Sequence, residues 1–288
     1  MTVNNDKSVT HFGYCAIIGR PNVGKSTVFN ALLGHSISIV TRKAQTTQTE
    51  IMGVVTDIPH QYVMLDTPGV QCRLKRRTQL NRVAAKSVFE ADLAIFMVAG
   101  SQWNDNDMAA LNILREFDGP VIGCVNKMDK LANQPEKIQA SIDRLREHYE
   151  FRQIMTLSAT RNQHVDILHR EICGFLPTGE AGYDVDLVTS HDDDFLIQEM
   201  VRAKALELLH EEIPYDMAVS VDLMKTVEGK RHIYVTLWVR SSTQKAVVIG
   251  KGGQKIKQIG QQSRLQMEAL FKEPIVLKTW VKVGSPDT

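Results

Sequence analysis

Between residues 14 and 175, short apolar runs alternate with longer stretches whose apolar positions recur at helical spacing. Tyr14 to Ile18, Ile51 to Thr56, Gln61 to Leu65, Leu93 to Val98, Val121 to Val125 and Gln153 to Leu157 have the length and composition of buried strands. Val28 to Leu33 reads as a helix-forming run, and Ala109 to Phe117, Pro135 to Tyr149 and Gln163 to Phe175 as amphipathic helices; Ile138, Ile142 and Leu145 are spaced to share one face. Such alternation predicts an α/β domain, a doubly wound, mostly parallel sheet with helices on both faces. Ligands of these sheets lie beyond the carboxyl ends of the strands. Every expected strand but the second and fourth runs directly into a polar motif at that end, which gathers the motifs around one crevice.

The pattern changes after Phe175. Residues 177–194, PTGEAGYDVDLVTSHDDD, combine turn formers with acids and read as a linker between a domain over 13–176, preceded by an extension over 1–12, and a second domain over 195–284, followed by a short end over 285–288. The acids of HDDD favour capping the helix that begins near Phe195 over holding a metal. That helix, Phe195 to Glu211, carries Leu196, Met200, Ala203 and Leu206 on one stripe. Met217, Val219, Val221, Leu223 and then Ile233, Val235, Leu237, Val239 alternate on either side of a turn at Glu228 to Arg231, which predicts a hairpin with one buried face. VVIGKGGQKI, a helix through Phe271 and a last strand, Ile275 to Val283, complete an α+β second domain.

Composition narrows the class. The chain has 288 residues, 43% hydrophobic and 23% charged, enough for a large and a small core. No apolar run reaches transmembrane length and the N-terminus lacks the features of a secretory signal, so a cytoplasmic protein is expected. Cys15, Cys72, Cys124 and Cys173 have no metal-ligand spacing and read as reduced, incidental thiols. The net charge of +1 hides an asymmetry: residues 1–194 hold 20 Lys and Arg against 23 Asp and Glu, and 195–288 hold 14 against 10. The second part is therefore the better candidate for a polyanionic partner.

The strand-end motifs supply the chemistry. Gly19, Arg20, Pro21, Asn22, Val23, Gly24, Lys25, Ser26 and Thr27 spell GRPNVGKST between an expected strand and helix. This phosphate-loop spacing aims backbone N–H groups and a helix N-terminus at a polyphosphate, adds the Lys25 ammonium, and offers Ser26 to Mg²⁺. Asp66, Thr67, Pro68 and Gly69 spell DTPG; Asp66 is placed to hold Mg²⁺ through water and the Gly69 N–H to meet a terminal phosphate. In NKMD, Asn126 and Asp129 are placed to straddle a purine, Asp129 accepting the paired N–H donors of guanine, with Lys127 laid over the base and Met128 between them. Ser158 and Ala159, in LSAT, are small enough for a close backbone approach to the base edge. Residues 71–78, QCRLKRRT, read as a solvated charge run, with an RNA or ribosome contact as the minor alternative.

Those four motifs, in that order, resemble the Era-type GTPases of the TrmE-Era-EngA-YihA-Septin-like class. The resemblance implies GTP and GDP as ligands with Mg²⁺. It makes SIVTRKAQTTQTEI, from Ser38, a first switch segment in which Thr47, with Thr46 as the fallback, binds Mg²⁺ while GTP is present. It implies Asn22, Lys25, Thr47 and Gly69 as the catalytic set. Many GTPases place a water-orienting glutamine after DTPG, and this chain has Val70, so slow intrinsic hydrolysis is expected; Asn22 matches an asparagine that helps bind K⁺ in similar GTPases.

Helix, hairpin, helix, GxxG loop, helix and strand resemble a type II KH domain, in which the loop clamps a single-stranded nucleic-acid backbone. Here it comprises Ile249, Gly250, Lys251, Gly252 and Gly253, with Lys255 and Lys257 beyond; Arg240 to Met267 contains six basic residues and no acidic one. Only the resemblance favours RNA over DNA. The combined architecture resembles the Era family over residues 11–283, which implies a monomer bound near the 3′ end of small-subunit rRNA, acting in small ribosomal subunit assembly, with a peripheral association at the inner face of the cell membrane also described. An RNA chaperone whose nucleotide is structural is the alternative function. Two departures stand out: Gln48, Thr49 and Glu50 replace residues usually basic in relatives, and the chain ends at Thr288 without their C-terminal tail.

Overall fold

The computed structural model describes residues 8–35, 37–38, 50–72, 75–100, 103–209 and 217–286. They form two compact units, one up to Ser190 and one from His191. The first unit runs β1 (His11–Ile18), α1 (Lys25–Leu33), β2 (Ile51–Asp57), β3 (His60–Asp66), α2 (Lys75–Phe89), β4 (Leu93–Ala99), α3 (Asp105–Leu114), β5 (Val121–Asn126), α4 (Pro135–His148), β6 (Gln153–Thr156) and α5 (Val165–Phe175). Its six-stranded sheet has the order β2-β3-β1-β4-β5-β6, with β2 antiparallel to β3 and the other pairs parallel. The chain leaves β1 first toward β2 and β3 and later toward β4, so the strand order reverses at the carboxyl end of β1, where the phosphate loop begins.

Near-continuous apolar strands follow from burial on both faces. Ile17, Ile18, Met64, Ile95, Phe96 and Met97 are all fully buried. On one face Ala84 and Val88 of α2, Ala110, Leu111 and Leu114 of α3 and Leu145 of α4 join the strand side chains in a single core; on the other, α1 lies beside α5. Helix α2 was not legible in the sequence pattern. It opens Lys-Arg-Arg-Thr-Gln, and its inward positions, Ala84, Ser87 and Val88, are small or polar, so the helical stripe is faint although its spacing is present.

Residues 177–190, expected as a linker, are instead a strap on the first unit. Phe12 N donates to Pro177 O at 3.1 Å and Gly179 N to Thr10 O at 3.0 Å. The fully buried Gln61 fixes the strap with its amide, Oε1 accepting from Gly182 N and Tyr183 N and Nε2 donating to Tyr183 O. Val54 N donates to Val188 O at 2.8 Å, so the strap also covers the edge of β2, whose backbone groups would otherwise be open to another strand.

The second unit runs α6 (Asp193–Leu208), β7 (Ala218–Val227), β8 (Lys230–Val239), α7 (Ser242–Ile249), a single 3₁₀ turn (Lys251–Gly253), α8 (Gln254–Phe271) and β9 (Ile275–Val283). As expected for HDDD, Asp192 caps α6, accepting from Phe195 N at 2.8 Å. The sheet has the order β7-β8-β9, antiparallel then parallel, the α+β arrangement of a type II KH domain. Ile197, Met200, Val201 and Ala205 of α6 share one buried core with Ile233, Val235 and Leu237 of β8.

One expectation for the hairpin is corrected. A register shift between Val221 and Leu223 turns the alternation over. Val221 and Met224 belong to the core, whereas Leu223 faces outward and is 49% exposed. A β-bulge, invisible to a period-two count, is the cause.

Candidate nucleotide site and nucleic-acid interface

The phosphate loop follows β1 and turns into α1 through Asn22 and Gly24, at φ 64° and 103°. A Cβ on Gly24 would lie 2.2 Å from Asn126 Nδ2 and one on Gly19 2.4 Å from Met97 O, so both glycines are needed for close approach as well as for the turn. Lys25 is buried, and its Nζ donates to Gly19 O and Arg20 O, each at 3.1 Å, the carbonyls of the loop it serves. Burial pushes its pKa down to about 8, with Asp66 opposing the shift and Arg20 adding to it.

Asp66, at the end of β3, is fully buried, and Oδ2 accepts from Ser26 Oγ and Ser38 Oγ, each at 2.6 Å. Hydroxyl and carboxylate oxygens therefore converge beside the loop, a donor set suited to Mg²⁺. Ser38, which the motifs did not single out for this site, is held by Asn30 of α1: Asn30 Oδ1 accepts from Ile37 N and Ser38 N, and Nδ2 donates to Ser38 O. Thr46 and Thr47 lie outside the described residues.

Thr67 is buried and tied by Oγ1 to Ile17 O at 2.6 Å, and Pro68 leads to Gly69, where a Cβ would come within 2.8 Å of the Pro21 backbone. Val70 N donates to Gly19 O, and the Val70 side chain is fully buried in the core of the first unit. The position that carries a water-orienting glutamine in other GTPases here points away from solvent. Beyond it, Gln71 exchanges two backbone hydrogen bonds with the Asn81 amide, and Cys72 N donates to Asn106 Oδ1. On the other side Arg20 Nε reaches Asp107 Oδ2 at 3.0 Å. The N-terminus of α3, Asn104 to Asp107, thus touches both the phosphate loop and the segment after DTPG; polar residues ahead of an apolar helix were the only sequence signal for it.

Asn126 ties two loops together. It is buried, with Nδ2 donating to Val23 O at 2.9 Å and Oδ1 accepting from Ala159 N at 3.2 Å. Its amide joins the phosphate loop to the LSAT loop. Lys127, left-handed at φ 67°, sends Nζ to Asn22 O, which lays its stem across the same crevice. Burial lowers its pKa. Met128 N bonds Leu157 O, and the half-buried Asp129 carboxylate accepts from Ser158 Oγ at 2.6 Å through Oδ1. Among the described residues no cluster of His, Cys, Asp and Glu has the makings of a metal site, and no helix is long and apolar enough to cross a membrane.

In the second unit α7 ends at Ile249 and α8 starts after Gly253. Gly250, Gly252 and Gly253 have φ of 73°, 58° and 75°. A Cβ on Gly252 or Gly253 would meet nothing within 4 Å, so these glycines serve the left-handed backbone and leave space for a ligand. The Lys255 stem fills the space beside Gly250, and Lys251 and Lys257 are exposed. The α8 N-terminus and these lysines give the loop its positive field.

The two units are a P-loop GTPase domain and a KH domain. Residues 14–127 match the 50S ribosome-binding GTPase family and residues 212–288 the KH domain. GTPase Era of Glaesserella parasuis serovar 5 is 40% identical over 277 residues, 95% of this chain and 92% of that protein, and GTPase Era of Vibrio vulnificus is 39% identical over 96% and 87%. An Aquifex aeolicus Era bound to GDP and AlF4⁻ superposes with a TM-score of 0.88 at 33% identity, covering 96% and 95% of the two chains. A crystal structure of Era in complex with MgGDPNP and nucleotides 1506–1542 of 16S ribosomal RNA superposes with a TM-score of 0.87 at 34% identity and the same coverage. The chain belongs to the Era GTPase family and hydrolyses GTP.

Proposed function

We propose that the chain is a GTP-controlled switch that binds small-subunit ribosomal RNA near its 3′ end and assists assembly of that subunit in the cytoplasm. The observation that carries this is the full-length match to an Era holding 16S RNA, together with an open GxxG loop on the same chain. The family matched by residues 14–127 is named for the 50S particle, but that match covers the nucleotide domain alone; the relative that resembles the whole chain holds 16S RNA, so we favour the small subunit.

In the crevice Lys25 and the loop N–H groups hold the phosphates, the Gly69 N–H meets the terminal one, and Asp129 selects guanine. Ser26 and Asp66 would hold Mg²⁺, joined by Thr47 from the first switch, and the ion would neutralise charge on the outer phosphates. Val70 offers no group to orient water, so turnover depends on another contribution; K⁺ beside the exposed Asn22 is our reading of it. The test of the switch compares RNA affinity with a non-hydrolysable GTP analogue and with GDP. A several-fold difference is expected. Equal affinities, with turnover indifferent to ribosomal subunits, would leave an RNA chaperone with a structural nucleotide.

A further inference from the structure

The helices of the KH unit pack on one face of its sheet, and the opposite face carries an ordered array of rings and lysines. Register sets Tyr234 of β8 opposite Lys278 of β9, Thr236 opposite Trp280 and Trp238 opposite Lys282. The Tyr234 and Trp280 rings stack with planes 9° apart and centroids 5.9 Å apart. Lys225 and Lys278 place Nζ 5.7 and 5.5 Å from the Tyr234 centroid, and Lys282 lies 5.3 Å from that of Trp238. The indole N–H of Trp238 donates to Ser220 Oγ at 2.8 Å, which fixes that ring.

The bulge adds one acid to this face beside the three lysines. It turns Asp222 outward together with Leu223, and both oxygens of that carboxylate are engaged, Oδ1 by Ser220 Oγ at 3.0 Å and Oδ2 by Thr236 Oγ1 at 2.6 Å. The lysines have no such partner in the array and lie over π faces. Trp280 remains 45% exposed, a large ring on a strand between two lysines.

We propose that this outer sheet face is a second RNA-binding surface, separate from the GxxG loop, on which unpaired bases stack against Trp280 while Lys225, Lys278 and Lys282 meet the adjoining phosphates. The inference rests on the reading that the chain binds RNA. Base stacking on pre-ordered aromatic rings, with cations beside them, is how sequence-tolerant single-strand sites gain affinity. A lipid surface would want the rings together and the ammonium groups at the rim. Here Lys278 and Lys282 alternate with Trp280 along one strand, so inserting the ring into hydrocarbon would bury them. A protein partner would need acidic groups matched to each lysine, whereas a nucleic-acid strand supplies phosphate and base in alternation.

The test uses the full chain and two labelled single-stranded RNAs of the 16S 3′ region. One is about five nucleotides long, enough for the four that a GxxG loop clamps. The other is about forty. Trp280→Ala should weaken the long RNA about tenfold and leave the short one unchanged. Trp280→Phe should restore most of the loss, which a merely structural defect would not allow. Lys278→Gln with Lys282→Gln should make the long RNA's affinity less salt-dependent. Equal long-RNA affinity in wild type and in all three variants overturns the proposal while leaving GxxG binding intact. Trp280-dependent binding to phosphatidylserine vesicles with no change in RNA affinity also overturns it, in favour of a membrane surface. If wild type binds neither RNA, this inference and the RNA reading of the chain fall together.

Discussion

The nucleotide crevice and the GxxG loop are built in opposite ways. In the crevice the polar groups are buried and already bonded to one another: Lys25 to two loop carbonyls, two serines to Asp66, and Asn126 to both Val23 and Ala159. At the GxxG loop nothing lies near Gly252 or Gly253, and Lys251 and Lys257 stand in solvent. A small ligand of fixed shape repays a pre-assembled, low-dielectric cage, where each misplaced atom is costly. A flexible polymer is held by backbone access and a spread of positive charge, where no single atom decides. Substitutions in the first region should therefore act sharply on nucleotide, and those in the second should act broadly on RNA without crossing over.

The largest effect should come from Lys25→Ala. Losing the buried ammonium of the phosphate loop should remove on the order of 4 kcal/mol, about a thousandfold in affinity for a fluorescent GTP analogue. RNA affinity measured without nucleotide should be unchanged, and a parallel loss there would mean that the two regions are not separable as drawn. Gly252→Asp is the converse. Forcing a side chain to a φ of 58° and setting a carboxylate against the RNA backbone should cost about a hundredfold in RNA affinity, with nucleotide binding intact.

Asn126→Ala comes next, at about thirtyfold on nucleotide affinity. It strips the partners from Val23 O and Ala159 N, roughly 2 kcal/mol, while leaving the sheet packed. Circular dichroism matching wild type alongside full nucleotide affinity would show that the amide bridge is dispensable. A smaller effect is pH-dependent. Phosphates stabilise the Lys25 ammonium, so binding raises a pKa that stands at about 8 in the free site. Affinity should be flat below pH 8 and then fall as pH rises, by up to about tenfold per unit until the bound-state value is passed. The same lysine, depressed from its unfolded value, opposes folding below pH 8, and that cost shrinks as pH rises toward 10.5. Titrating affinity in Lys25→Met should give a flat profile over the range where wild type declines.

The two regions also differed in how far the chain announced them. Every strand of the nucleotide domain could be placed from its apolar run, because strands buried on both faces read continuously and the ligand loops sit at their ends. Asn126 was found by its motif, but its bridge from Val23 to Ala159 was not: spacing places a side chain at a strand end and does not say which neighbouring loops it ties together. Ser38, Asn30 and the α3 N-terminus were missed because their roles exist only through contacts between distant segments. The strap over 177–190 looked like a linker by composition, and Gln61, whose amide makes three of the hydrogen bonds that tie it down, lies more than a hundred positions earlier. In the KH unit the GxxG loop was legible from its glycines and the outward positions of β8 from its alternation, whereas a bulge reverses which later residues of β7 point out.

The finest comparison lies within the crevice, between Val70 and Asn22. Val70 is sealed in the core and its N–H donates to Gly19 O, so its side chain does not reach an attacking water. Asn22 is the opposite case: exposed on the phosphate loop, left-handed at φ 64°, with its backbone carbonyl taken by Lys127. A monovalent cation held there would sit beside the phosphates and offset charge as they separate, the service an arginine supplies elsewhere. GTP hydrolysis should then run several-fold faster in KCl than in NaCl at equal ionic strength, and Asn22→Ala should erase the difference while nucleotide affinity changes less than it does in Asn126→Ala. Equal rates in the two salts for wild type would assign no catalytic part to Asn22 and leave the missing group to a binding partner.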